Sequence, residues 1–392
     1  MNTQLSFHSL SAFLPRIRRR WLWGALLPFA CTAALAQSVT LKIVDVGGAF
    51  NLLQGAIESY RIKHPEVAFS FVKALAPELP GALQAAQTAG KQDVDLVLGG
   101  GDILAAGIEQ NLWVRLLPEH SAKFPNVMDN YFKESRKMQE LAGNQGLAVV
   151  YALGGPLLEY NPDKVAQAPT TPEELLTWCR AHPGRFTYAR PANSGPGRAF
   201  LMGLPYLLGD RDPKDPVEGC TQTWAFLKAL NKCIDSYPPT TGGLMKDLGS
   251  GARDMTVSTT GWDINPRALG VVPKQFRIGA FKNMTWINDT QYMMVPKGLS
   301  ADRLNVVLDV MAHLLKREQQ AQTYDKGYFY PGPAVKNVPF SLAPPESQKV
   351  IKEFGRVEYT MWGLTQPHAQ PLSAQAMVKA FKIWDDEVGK RP

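Results

Sequence analysis

Several short stretches of the 392-residue chain combine residue types able to hold or transform a small molecule. Ser258-Thr259-Thr260-Gly261-Trp262-Asp263 sets hydroxyls, an indole and a carboxylate side by side. Trp286-Ile287-Asn288-Asp289 again joins an aromatic to polar groups, and a strand there would present alternate residues, Trp286 and Asn288, to one face. Gly47-Gly48 and Gly99-Gly100-Gly101, the latter followed by Asp102, lie at the ends of strand-like runs. In ARPANSGPGRAF (189–200), Asn193, Ser194 and Gly195 form a turn that delivers the chain into a helix. Helix starts leave backbone N–H groups unpaired, which suits an anion or the polar end of a ligand. The expected division of labour gives such an end to the N–H groups at 47–49 and 194–197. Trp262 or Trp286 would cover an apolar face, and Asp263 would meet any amine. In the alternative reading, Asp263 and Asp289 form the acid/base pair of an exported hydrolase.

Signatures of catalysis are otherwise missing. Gly195-Pro196-Gly197-Arg198-Ala199-Phe200 lacks the third glycine of a dinucleotide fingerprint, and the chain has no GxxxxGK[ST] phosphate loop and no GxSxG elbow. His64, His120, His182, His313 and His368 are dispersed, without HxxxH or CxxC spacing. The residues therefore predict a binding protein with no catalytic residue, no metal and no cofactor.

These loops need a scaffold, and the mature N-terminal half supplies one by alternation. VTLKIVDV (39–46), VAFSFV (67–72) and VDLVL (94–98) read as strands with amphipathic helical stretches between them. That order predicts a parallel, doubly wound sheet, whose ligands bind beyond the carboxyl ends of the strands. A second α/β unit starts after QGLAVVYALGG (145–155). In it, Thr171, Pro172 and Glu174 predict a capped helix start. DMTVSTTGWDINPRALG (254–270) reads as a strand entering a polar, aromatic loop, and 285–298 as a long strand.

The first 36 residues are read apart from the fold. Arg16, Arg18, Arg19 and Arg20 precede a short apolar run and Ala34-Leu35-Ala36, the pattern of a signal peptide cleaved after Ala36. Those arginines account for more than half of the net charge of +7. No basic run suggests nucleic acid. Three cysteines follow the leader. Cys220 and Cys233 flank the helix-like TQTWAFLKALNK, which would hold them roughly 18–20 Å apart, well past the ~7 Å that a bridge spans. Any bridge must then include Cys179, and three buried thiols are equally compatible.

PTTPEELLTWCRAHPGRFTYARPANSG, EYNPDKV (159–165) and TWINDTQYMMVPKGLS with the following LLKREQQAQTY helix carry a resemblance, through their order and spacing. The chain resembles the family 1 extracellular solute-binding proteins of bacterial ABC importers, in the branch of polyamine-, iron- and thiamine-type receptors. The resemblance implies an α/β, two-lobed periplasmic-binding-protein fold (type II-like), each lobe a mainly parallel sheet flanked by helices. It also implies closure on one small-molecule solute and delivery to a membrane permease powered by an ATPase, by a periplasmic monomer. Residues 37–147, with 290–320 returning, are expected in lobe 1. Residues 148–289, with 321–392 packing on them, are expected in lobe 2. Asp289 stands one place beyond the Trp-x-Asp spacing that resembles polyamine receptors, and glycines replace their aromatics after strands one and three. Both departures favour a small anion, zwitterion or phosphorylated solute over a polyamine.

Overall fold

The computed structural model describes residues 39–390, so the signal-peptide reading lies outside the described residues. β1 (Val39–Val46) buries Leu41, Ile43, Val44 and Val46, and runs parallel to β2 (Val67–Ala74) on one side and β3 (Leu96–Gly99) on the other. The helices Ala49–Lys63 and Leu79–Thr88 make the crossovers that parallel neighbours require. β4 (Leu147–Gly155) belongs to the same sheet, and its unbroken apolar run is buried on both faces.

Only Pro156 separates β4 from β5 (Leu157–Tyr160), which lies in a second sheet. That sheet adds β6 (Phe186–Thr187), β7 (Met255–Ser258) and β8 (Arg277–Ala280), in the order β6-β7-β5-β8. The chain returns through β9 (Trp286–Met294), which enters the first sheet antiparallel to both β3 and β4. β10 (Pro331–Pro333) pairs with β4 and β11 (His368–Ala369) with the start of β9. Val97, Val149, Met293 and Val310 share one core, and Leu157, Phe186, Phe200 and Val257 another. Two α/β lobes result, and β9 makes the larger sheet mixed where the strand spacing alone predicts parallel pairing.

Local chemistry explains the entries into the helices. Thr171 accepts the Glu174 N–H at 3.2 Å, while the Glu174 carboxylate takes the Thr170 N–H at 2.7 Å, so the helix Pro172–Ala181 begins as expected. A cap of this kind stabilises by about 1 kcal/mol. The same helix carries Cys179, bonded to Cys233 with Cα atoms 5.8 Å apart. Cys220 is free and buried, and burial pushes its thiol up to about 12.

Two expectations need correction here. The polar loop after β7 is instead the helix Thr260–Ala268, which accommodates Pro266 near its end. Nor does 321–392 pack as one block on the second lobe. Gln320 Nε2 donates to Val149 O at 3.0 Å and β10 extends the first sheet, so 321–335 stays with the larger lobe. Tyr359, Met377 and Trp384 lie in the core of the smaller one.

Candidate functional site

A cleft of about 350 Å³ opens where the ends of β1 and β3 face the start of the helix Gly195–Leu208. Gly47 and Gly48 line it with φ of +80° and +86°, a left-handed conformation that side chains rarely adopt. Tyr328 donates its hydroxyl to Gly47 O at 2.7 Å, and a Cβ on Gly48 would come within 2.9 Å of the Tyr328 hydroxyl oxygen. Glycine is therefore required twice over at Gly48. An N–H group just beyond it is already engaged, however. Asp45 accepts the Phe50 N–H at 3.0 Å, and its carboxylate faces the start of the helix Ala49–Lys63. Burial raises the Asp45 carboxyl above its ordinary range, against the pull of that bond. An anion placed at the 47–49 N–H groups would therefore face the chain's own carboxylate.

Gly100 marks the floor of the cleft. An added Cβ there would meet Asp102 Oδ1 at 2.9 Å, Arg198 Nη2 at 3.0 Å and Gln291 Nε2 at 3.7 Å. Arg198 comes from the smaller lobe and donates Nη1 to Asp102 Oδ2 of the larger lobe at 2.7 Å. Its Nη2 approaches both oxygens of Asp289 at 3.4–3.5 Å. Two carboxylates thus share one guanidinium in a largely buried place, and burial raises Asp289 despite Arg198. Gln291, only 3% exposed, lines the cleft with an Oε1 that has no protein partner.

The smaller lobe contributes the opposite wall. Ser194 accepts the Gly197 N–H at 3.1 Å and sits 2.8 Å from the Thr241 hydroxyl, so that helix start is also partly capped from within. Asn193 accepts the Ala76 N–H of the larger lobe at 3.5 Å. Trp262 lines the cleft against Tyr328, with ring centroids 5.0 Å apart and planes at 72°. A Cβ on Gly261 would fall 1.9 Å from Tyr328 O, so the lobes meet here without room for a side chain.

The structure therefore brings Gly47, Gly48, Gly100, Asp102, Asn193, Ser194, Gly195 and Trp262 around one cleft. Four other expected site residues lie elsewhere. Asp263 is fully buried on the far side of its helix, bound by Arg267 at 2.9 Å, by Arg356 at 2.6–2.7 Å and by the Tyr359 hydroxyl at 2.5 Å. No amine can reach it, and it forms no acid/base pair with Asp289. Trp286 is fully buried, donating its indole N–H to Trp362 O at 3.1 Å. Asn288 accepts the Tyr151 hydroxyl at 3.0 Å and, with Gly101, borders only a side cavity of about 10 Å³. The period of two is present in β9 with the opposite phase: Asp289 and Gln291 turn to the cleft side, and Trp286 and Asn288 turn away. The backbone around Pro367 and Trp362 covers the latter face, Trp286 N donating to Pro367 O at 2.8 Å.

Sequence reading missed Arg198, Gln291, Tyr328, Phe329, Lys73 and the Thr240–Gly242 turn, all at the cleft. Arg198 lay within the ARPANSGPGRAF turn, where an arginine directly after a proline–glycine entry was the available signal. Thr240 caps the helix Thr241–Gly249 by accepting the Gly243 N–H at 3.1 Å, a start signal that the two glycines obscured.

The architecture is that of known binding proteins. Solved structures that the chain resembles include a GABA receptor (TM-score 0.66, 15% identity, covering 90% of this chain and 99% of that one). The periplasmic binding protein AfuA of Actinobacillus pleuropneumoniae, with fructose-6-phosphate bound, gives 0.64 at 14% identity, covering 90% and 100%. The ferric binding protein of Campylobacter jejuni gives 0.64 at 15%, again covering 90% and 100%. At these identities the likeness shows the fold. No curated protein matches the sequence. Residues 55–351, however, match the sequence family described as bacterial extracellular solute-binding protein. The chain belongs to that family, the substrate-binding components of ABC transporters.

Proposed function

We propose that the protein captures one small polar solute in the cleft between its lobes, in the periplasm after cleavage behind Ala36. As a monomer it would deliver the solute to an ABC permease driven by its ATPase. The observation that carries this reading is the composition of the cleft. Gly47, Gly48, Gly100 and Asp102 line it from one lobe, and Asn193, Ser194, Gly195 and Trp262 from the other, with Gln291 of the strand that joins them. A ligand held by both walls binds the closed arrangement better than the open one, which is the condition for ligand-driven closure. At about 350 Å³, the space suits a compact solute rather than a polymer.

Among the described residues no helix is long and apolar enough to cross a membrane. The test is native mass spectrometry of protein exported by its own leader, followed by calorimetry on the stripped protein. A retained small molecule, or saturable stoichiometric heat without product, supports capture. Turnover of the bound molecule would overturn it. Intact mass also reads the leader: retention of Arg16–Arg20 in exported protein would overturn cleavage after Ala36.

A further inference from the structure

We propose that the captured solute is a small zwitterion whose ammonium group sits beside Asp289 and whose carboxylate reaches toward Lys73. The proposal rests on the capture reading above and names the class of solute. Its first support is a charge count. Asp102 at the floor of the cleft and Asp289 in the small cavity beside it present two carboxyl groups, and Arg198 supplies only one positive charge to both. Buried charges are tolerated when paired, so this triad is short of one cation.

The second support is an unpartnered acceptor. Gln291 is nine-tenths buried, faces the same cleft and leaves Oε1 without a donor. A buried acceptor without a partner is costly, and an N–H from a bound molecule would satisfy it. The third is shape. Beside Asp289, a cavity of about 10 Å³ is bounded by Trp262, Tyr328 and Phe329 together with Gly195. That is room for one water-sized group, and ammonium is of that size. A carboxylate and aromatic rings around such a space attract a cation by charge and by ring quadrupole. Gly195 keeps the place open, since a Cβ there would lie 3.0 Å from Asp289 Oδ2.

At the two helix starts expected to take an anion, the chain's own Asp45 and Ser194 already accept the Phe50 and Gly197 N–H groups. Among the described cleft-lining residues, Lys73 is the only cation besides Arg198; it is exposed, and its charge also acts on Asp45. A molecule that answers both the missing cation and Lys73 carries one charge of each sign. Diamines lack a group for Lys73, and dianions add charge to an already negative floor.

The test uses stripped, full-length mature protein, titrated calorimetrically with four probe sets. These are straight-chain amino acids of three to six carbons, their N-acetyl derivatives, the matching diamines, and the matching dicarboxylates with sugar phosphates. Binding of an amino acid, weakened at least tenfold by N-acetylation, supports the proposal. In the same protein, Asp289→Asn is expected to weaken that binding about ten- to a hundredfold. Acetylation alters only the ligand, so this arm survives if the variant fails to fold. Equal binding of the acetylated form, or tighter binding of a diamine, dicarboxylate or sugar phosphate, overturns the zwitterion while leaving capture intact. Failure of all four sets, with no retained molecule in the native spectrum, removes the capture reading as well.

Discussion

Two aspartate–arginine clusters, one in the smaller lobe's core and one in the cleft, are built from the same residue types in opposite proportion. Around Asp263, two guanidiniums and a phenol surround one carboxylate, and its oxygens are saturated. Around Arg198, one guanidinium serves two carboxylates, and its longer bonds of 3.4–3.5 Å mark the share left to Asp289. The first arrangement joins the helix Thr260–Ala268 to the C-terminal segment and has nothing left to offer a ligand. The second spans the lobes and has an unmet demand for positive charge. Residue type alone does not separate a structural from a receptive aspartate; the donor count around it does.

The sharpest way to break this contrast is to remove each carboxylate in turn. Asp263→Ala leaves Arg267 and Arg356 buried without their partner, and is expected to cost about 3–5 kcal/mol. Asp289→Asn removes surplus charge, so its cost should stay within about 1 kcal/mol while solute binding falls. Urea unfolding of both variants measures the difference, and equal costs would erase the distinction.

Glu159 gives a pH-dependent version of the same test. It lies fully buried near Asp263, and burial first, then Asp263, pushes its carboxyl up to about 8. A carboxyl raised in the folded state is held protonated there, so its contribution is complete below about pH 4.5. That contribution drains away as pH rises toward 8. Glu159→Gln should flatten the decline in stability across that window, read from thermal unfolding at a series of pH values. A decline as steep as in the unmodified protein would place its origin elsewhere.

Tyr359→Phe removes one charge-assisted bond to Asp263 and should cost about 1.5–3 kcal/mol, with solute affinity unchanged. Ser194→Ala, on the cleft side, is the smallest change. It removes the cap on Gly197 for about 1 kcal/mol of stability. A loss near zero would mean that Thr241 or the solute takes over that N–H.

The elements most legible in the sequence were those specified by their own residues. Val39–Val46 is a strand because its apolar positions fit a sheet buried from both sides, and Thr171 to Glu174 start a helix by bonds within five residues. One helix likewise excluded a Cys220–Cys233 bridge, although the sequence did not decide whether the Cys179–Cys233 bond itself forms. What escaped was set by distant chain. The phase of β9 depends on Trp362 and Pro367 covering Trp286, more than seventy residues away in sequence. The role of Asp263 depends on Arg356 and Tyr359, and that of Gly47 on Tyr328. The segment after β7 read as a loop, and Pro266 disfavours a helix interior, yet Arg267 clamping back onto Asp263 stabilises the helix's last turn.

The thiol inventory has a practical consequence for reporter chemistry. Removal of the proposed leader takes Cys31 with it. Cys179 and Cys233 are consumed in their bond, and Cys220 is buried with its ionisation pushed to about 12, so none of these offers a thiolate to a maleimide at neutral pH. A new cysteine at Gly242, on the lip of the cleft, where a Cβ would meet no atom within 4 Å, would take an environment-sensitive dye alone. The unaltered protein thus serves as its own unlabelled blank, and the Gly242→Cys conjugate becomes a fluorescent sensor without prior removal of native cysteines.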